Sequence, residues 1–151
     1  MEDGQILPPE AHVLRLPRPP PDFMVDRWQA TSHQFEPSTI DKEHAARLGK
    51  PIRVSVWDES LTTIEQARSF RGGPTIVMRV DVRDVLDIAD STDRMMRVVY
   101  DHLTPPDDSR PGAEGHAGIE GLERAPEEPR QAWRARLNRL AERAQLVAGP
   151  E

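Results

Sequence analysis

The sequence predicts a single α+β domain that follows a proline-rich N-terminal arm. Two segments, 51–57 and 75–82, are rich in β-branched residues or alternate between apolar and polar residues, as strands do. A C-terminal segment repeats its apolar residues at helical spacing, and 151 residues suffice for one core. We therefore expect a small sheet of three to four strands covered by two or three helices, with the arm over 1–22 and the domain over 23–148.

The predicted arm is defined by its prolines: seven of the 15 prolines in the chain lie before residue 40. The stretch 14–21 is apolar, basic and proline-rich, and proline lacks the backbone donor that a strand or helix needs. We expect this stretch not to pair into the sheet. It is either a disordered or surface-lying tail, or a docking peptide that offers Arg15 and Arg18 to a partner protein.

The first helix is predicted over 39–48. Ser38 is a favourable N-cap, Asp41 follows it as a capping-box partner, and Gly49 ends the helix. The apolar segment that precedes it, 22–35, indicates a short strand or an irregular segment.

A strand, a helix and a second strand are predicted next. The alternating segment 52–57 is the first strand, and Thr62 with Glu65 forms a capping box for a helix over 62–71. The β-branched run 75–81 is the second strand. The short links permit a parallel pairing through a right-handed crossover or an antiparallel pairing, and the sequence leaves both open.

The C-terminal half is less uniform in its pattern. The segment 83–103 fits helical and strand periodicity, and we expect a strand over 97–102. A fourth strand is expected over 116–120, and a helix over 127–147. The apolar stripe by which that helix covers the sheet is Trp133, Leu137, Leu140, Ala141 and Ala144. The arginines expected to face outward from it are Arg130, Arg134, Arg136, Arg139 and Arg143.

Composition excludes several classes of function. The chain has no cysteine, which rules out disulfides, thiolate-bound zinc and a thiol nucleophile. Its net charge of −6 argues against nonspecific binding of nucleic acid. No apolar run is long enough for a membrane span, and the first residues lack the pattern of a secretory signal. We therefore expect a soluble protein of the cytoplasm. The cations are almost all arginine, which is typical of a GC-rich genome, and we expect a bacterial source.

No metal or cofactor site is predicted. Five aspartates recur at every third residue, which makes them drift around a helix, and the alternate spacing of a calcium loop is absent. We interpret them as a solvated acidic edge. They are Asp81, Asp84, Asp87, Asp90 and Asp93.

One candidate for chemistry is the glycine-rich stretch 112–121. Glycine recurs there at every third residue, and His116 lies between these flexible neighbours with Glu120 close by. One interpretation makes His116 a general base in a pocket built by this loop, with Glu120 orienting it or sharing its proton. The other is a tight turn in which His116 hydrogen-bonds to the backbone.

Candidate binding residues come from the strands. Trp57 falls on the polar phase of its strand, so its indole either covers a second layer or lies at a binding surface. Arg53 and Arg79 also fall on polar phases and could anchor an anion, as could Arg27.

The serines do not indicate a nucleophile. Ser55, Ser60 and Ser109 all lack the strained turn that hydrolase serines occupy.

Two functions agree with these features. The first is a non-catalytic protein-interaction module, an accessory subunit that binds another protein chain in a larger bacterial assembly. It is favoured by the arm, by the long proline-rich loops and by the out-of-phase tryptophan. The alternative is a small transferase or hydrolase that uses His116 and Glu120, with an arginine as the anion anchor.

Overall fold

The fold is an antiparallel sheet of six strands with helices on both faces. The computed structural model describes residues 2–17, 32–72 and 76–149, together with the backbone of 23–24 and 29–30. The strands are β1 (His12–Arg15), β2 (Phe23–Met24), β3 (Gln29–Ala30), β4 (Arg53–Asp58), β5 (Val77–Asp81), β6 (Arg97–Tyr100), β7 (His116–Glu120) and β8 (Gln145–Ala148). The α-helices are α1 (Thr39–Leu48), α2 (Ile64–Ser69), α3 (Val82–Thr92) and α4 (Arg130–Arg143). The sheet has the order β6-β7-β4-β1-β5-β8, and β2 pairs separately with β3.

The predicted strands are all present, but the sheet is larger than we predicted. The expected strands at 52–57, 75–81, 97–102 and 116–120 correspond to β4, β5, β6 and β7. The two additional strands, β1 and β8, come from segments that we assigned to the arm and to the C-terminal helix.

β1 corrects the expectation that residues 14–21 do not pair. It lies in the middle of the sheet, with β4 on one side and β5 on the other. The prolines flank the strand at Pro9 and Pro17 and leave His12–Arg15 with every backbone donor. Val13 and Leu14 are 0 % exposed, so burial of these side chains favours pairing despite the nearby prolines.

β1 also answers the question of how β4 and β5 are related. Both strands pair antiparallel with β1. They therefore run parallel to each other but are not hydrogen-bonded neighbours. The helix between them, α2, therefore belongs to a connection that passes over β1.

The two faces of the sheet are buried under different helices. On one face, α3 and α4 pack against Val54, Val56 and Val98 in the larger core. On the other face, Ala67 of α2 packs against Leu14 and Trp57. Alternating side chains of β4 thus enter both layers.

The capping boxes predicted from the sequence place the N-cap of α1 correctly and that of α2 to within one residue. Helix α1 has the predicted bounds, with the Ser38–Asp41 capping box and Gly49 in the left-handed region. For α2 the capping box is one residue later than we predicted, formed by Thr63 and Gln66. Thr62 instead donates its hydroxyl to the carbonyl oxygen of Gly112.

The C-terminal helix is shorter than the predicted 127–147. It ends at Arg143 because Ala144 takes an extended conformation, and β8 then pairs with β5. Its apolar stripe is buried as expected from Trp133 to Ala141. Arg136 is the exception among the arginines expected to face outward: it is 2 % exposed and hydrogen-bonds to both carboxylate oxygens of Glu128.

The ambiguous segment 83–103 contains both kinds of element, α3 and then β6. Of the described residues, none belongs to a helix that is both long and apolar enough to cross a bilayer.

Candidate functional site

The candidate site is a cavity of about 470 Å³ on the α1 and α2 side of the sheet. Ser55 and Trp57 of β4 and His116 of β7 line it from the sheet. A smaller cavity of about 160 Å³ lies beside it and shares the walls Ile40, Ser55 and His116. The other residues that line the larger cavity are Arg15, His33, Glu36, Ser38, Asp41, Phe70, Arg71, Leu103 and Asp107.

His116 is held at the floor of this cavity by two hydrogen bonds. Its Nδ1 lies 2.7 Å from the carbonyl oxygen of Asp101, which can only accept, so Nδ1 carries the proton. Nε2 is then an acceptor, and the hydroxyl of Ser55 donates to it across 3.1 Å. These two partners assign the tautomer of the imidazole.

The charge state of His116 follows from its environment. Burial lowers its pKa below the ordinary value and outweighs the hydrogen bond to Asp101, which acts in the opposite direction. The imidazole is therefore neutral at pH 7, with the lone pair of Nε2 directed at Ser55. Neutral imidazole with an oriented second nitrogen is the form that can accept a proton in catalysis.

Trp57 packs beside His116, and this packing explains why Trp57 falls on the polar phase of its strand. Its ring lies 4.6 Å from the His116 ring and 4.4 Å from the Phe70 ring, measured between centroids. The side chain is 5 % exposed and belongs to the second core, so the indole covers a second layer and also forms a wall of the cavity.

Glu120 lies at the opposite end of β7 from His116 and has other partners. Arg53 and Arg97 each donate to one of its carboxylate oxygens, at 2.9 Å and 2.8 Å. The hydrogen bonds of His116 are made with Ser55 and Asp101 instead. The geometry therefore gives Glu120 a role in an ion-pair network rather than in holding or sharing the proton of His116.

That network joins β4, β6 and β7 to the N-terminal segment. Arg53 also donates to Asp101, and Lys50 bridges Asp101 and Asp3. Burial alone would raise the pKa of Asp3, but the hydrogen bonds from Lys50, His102 and Arg53 lower it to about 2. Burial alone would lower the pKa of Arg53, but the carboxylates of Glu120, Asp101 and Asp3 outweigh it and raise that pKa, so the guanidinium stays charged.

The other predicted binding residues are dispersed. Arg15 lies at the cavity, where Nη1 donates to the carbonyl oxygen of Ser55 across 3.0 Å. Arg79 forms an ion pair with Glu59 at the surface, 2.7 Å between Nη2 and Oε1. Arg18 and Arg27 lie outside the described residues.

The glycine-rich stretch is not a flexible loop around His116. It forms a short 3₁₀ turn followed by β7, and its glycines meet close neighbours. At Gly118 an added Cβ would lie 2.5 Å from Cβ of Arg53, and at Gly115 it would lie 2.0 Å from Oγ1 of Thr62. The repeated glycines therefore serve close packing, and the cavity is built by β4, α1 and the segments around them.

Ser55 lines the candidate site, although its position outside a strained turn gave no indication of a nucleophile in the sequence. It occupies a polar phase of β4 and is separated from His116 by 61 positions in the chain. The register of β4 against β7 brings them together, with Ser55 opposite Gly118 and Trp57 opposite His116. No local signal in the sequence marks Ser55 as the partner of His116, because the contact depends on the pairing of two strands far apart in the chain.

Comparison with known proteins gives no relative. The chain matches no protein-family model, and neither a curated protein nor a solved structure is significantly similar to it. Across residues 2–17, 32–72 and 76–149, no three histidine or carboxylate side chains come together as metal ligands would.

Proposed function

We propose that the protein is a small hydrolase or transferase in which His116 is the general base. The observation that carries this proposal is the hydrogen bond from the Ser55 hydroxyl to Nε2 of His116, with Nδ1 fixed by Asp101. A hydroxyl, a base within hydrogen-bond reach of it and a third group that orients the base are the parts that nucleophilic catalysis requires.

The environment of His116 suits this role. Its lowered pKa keeps the basic form populated at neutral pH, and the cavity volume of about 470 Å³ is in the range that holds a small molecule. Glu120 is not part of the proposed machinery because its oxygens are bound by Arg53 and Arg97.

The test is a panel of chromogenic substrates with carboxylic ester, phosphoester and glycosidic bonds. We expect turnover of at least one class, and we expect His116→Gln to lower that rate by about 10²- to 10⁴-fold. His102→Gln is the matched control, since His102 is exposed and does not line either cavity. Full activity in a folded His116→Gln variant, or no turnover of any class by the unmodified chain, contradicts the proposal.

A second candidate function is the accessory module that binds another protein chain. It is favoured by apolar side chains of α1 that remain exposed: Ile40, at the rim of the two cavities, is 62 % exposed and Leu48 is 36 % exposed. These residues are two turns apart on one face of the helix, which suits contact with an apolar partner surface.

The second candidate is tested by co-purification from the native host. The double variant Ile40→Glu, Leu48→Glu should lose a retained partner, while Met95→Glu, at an equally exposed site, should keep it. If the unmodified chain, the double variant and Met95→Glu all retain the partner, α1 has no role in binding it.

A further inference from the structure

We propose that Ser55 is a covalent nucleophile that takes the acyl group from a small, uncharged carboxylic ester, with His116 receiving its proton. This inference rests on the proposed role of His116 as a general base. It goes further because His116 could otherwise activate a water molecule directly and leave Ser55 unmodified.

The position of Ser55 favours a direct attack on a substrate. Its side chain lies on the face of β4 that lines both cavities, so the hydroxyl is within reach of a bound molecule. Its partner His116 is 6 % exposed and neutral, so the hydroxyl donates to a nitrogen that is shielded from bulk water. The hydroxyl thus lies between the cavity and its base.

Arg15 places a positive charge next to Ser55. Its guanidinium donates through Nη1 to the carbonyl oxygen of Ser55 and through Nε to that of Gln34. Arg15 is 7 % exposed and lines the cavity. A fixed cation at the nucleophile favours the negative charge that develops on a carbonyl oxygen during attack.

The charges of the cavity wall favour a substrate without net charge. Arg15 and Arg71 contribute positive charge, whereas Glu36, Asp41 and Asp107 contribute negative charge. With both signs present, a strongly anionic or cationic substrate would meet repulsion from one part of the wall. Trp57 and Phe70 provide the apolar surface against which a small acyl chain can pack.

The proposed reaction has two balanced halves. Oγ of Ser55 attacks the ester carbonyl carbon while its proton passes to Nε2 of His116, and the carbonyl electron pair moves to oxygen. When this intermediate collapses, the alkoxide leaves and takes the proton from Nε2, so that the acyl group remains on Ser55. Water then attacks the acyl carbon in the same way, and the products are the alcohol, the carboxylic acid and the unmodified serine.

The experiment uses the full chain with p-nitrophenyl acetate. Rapid quenching followed by intact mass spectrometry counts acetyl groups on the protein, and peptide mapping locates them. We expect a burst of nitrophenolate that corresponds to one acetyl group per chain on Ser55. Ser55→Ala should abolish the adduct and lower the rate by about 10³-fold or more. His116→Gln should slow acetylation to a similar degree.

The matched control is Ser91→Ala. Ser91 is an exposed serine on α3 that donates to the carbonyl oxygen of Ile88 and accepts from Arg139, so its loss tests for a general effect of removing a hydrogen-bonded hydroxyl. This variant should keep both the adduct and the rate. Circular dichroism and thermal unfolding establish that each variant is folded.

The other outcomes separate the two proposals. Ester turnover that depends on His116 but persists in Ser55→Ala without an adduct overturns the nucleophile and leaves the general base standing. Turnover of a phosphoester or glycoside alone overturns the substrate class. Acetylation confined to lysine overturns the assignment to Ser55, and no turnover of any substrate together with no adduct overturns both proposals.

Discussion

The hydroxyl of Tyr100 donates a 2.5 Å hydrogen bond to Oδ2 of Asp58, and both side chains are buried. Burial and this hydrogen bond to a carboxylate raise the pKa of Tyr100 to about 12. Because Tyr100 is the only tyrosine in the chain, the absorbance change of tyrosinate near 295 nm reports on this residue alone. We expect a titration midpoint near pH 12 in the folded protein, and one near pH 10 in urea.

The same contact predicts a loss of stability in alkali. The folded state holds the Tyr100 proton more tightly than the unfolded state, so its contribution is complete below pH 10 and disappears as the pH rises toward 12. Denaturant titrations at several pH values measure this. In Tyr100→Phe the loss over that pH range should be smaller; an identical loss in both proteins would assign it elsewhere.

The lowered pKa of His116 predicts that the free energy of unfolding also depends on pH in the acid range. Its pKa is lowered in the folded state, so the unfolded state binds the proton first as the pH falls below about 6.5. The free energy of unfolding should therefore decrease with falling pH, by at most about 1.4 kcal/mol per pH unit, until the pH reaches the lowered pKa. Urea titrations between pH 5 and 8 should show this slope for the unmodified protein and for His102→Gln. His116→Gln should reduce it.

The buried ion pair of Arg136 and Glu128 predicts a large cost for removing one partner. Both side chains are at most 2 % exposed, and the guanidinium also donates to the carbonyl oxygen of Gly121. Glu128→Gln should lower the free energy of unfolding by about 3–5 kcal/mol because it leaves a buried charge without its counterion. The exposed pair of Arg110 and Asp107 is the control, and Asp107→Asn should cost less than about 1 kcal/mol.

Gly49 and Gly121 distinguish the stability cost of backbone strain from the cost of a steric clash. Gly121 and Gly49 have φ of +88° and +64°, so alanine is strained at either position. An added Cβ would meet nothing within 4 Å at Gly49, whereas at Gly121 it would lie 2.0 Å from the carbonyl oxygen of Met95. Gly49→Ala should cost about 1–2 kcal/mol and Gly121→Ala about 3 kcal/mol or more, as measured by urea unfolding. Equal costs would show that the contact with Met95 relaxes freely.

The predictable part of this fold is the part specified by local chemistry. The cap at Ser38, the end at Gly49 and the alternation of 52–57 depend on neighbours a few residues away, and each was found from the sequence. β1 and β8 depend on partners far along the chain. Residues 145–148 extend a helical pattern, but pairing with β5 outweighs that local preference.

The candidate site illustrates the same division. The sequence made His116 a candidate and paired it with Glu120, four residues away, whereas its side-chain hydrogen bond is made with Ser55. On a strand, residues four apart share a face yet are separated by roughly 13 Å, too far for a hydrogen bond. Which serine reaches the imidazole depends on the register between β4 and β7, and no local pattern specifies that register.

The N-terminal segment has a consequence for self-association. It runs antiparallel along the outer edge of β6: Gly4 donates to Tyr100, Tyr100 to Gln5 and Leu7 to Val98, all between backbone atoms. The edge strand at the other end of the sheet is β8. Unpaired backbone groups at the edge of a sheet are where a strand of another chain can add. Residues 4–7 therefore occupy the backbone groups of β6 with which a strand of another chain would otherwise pair.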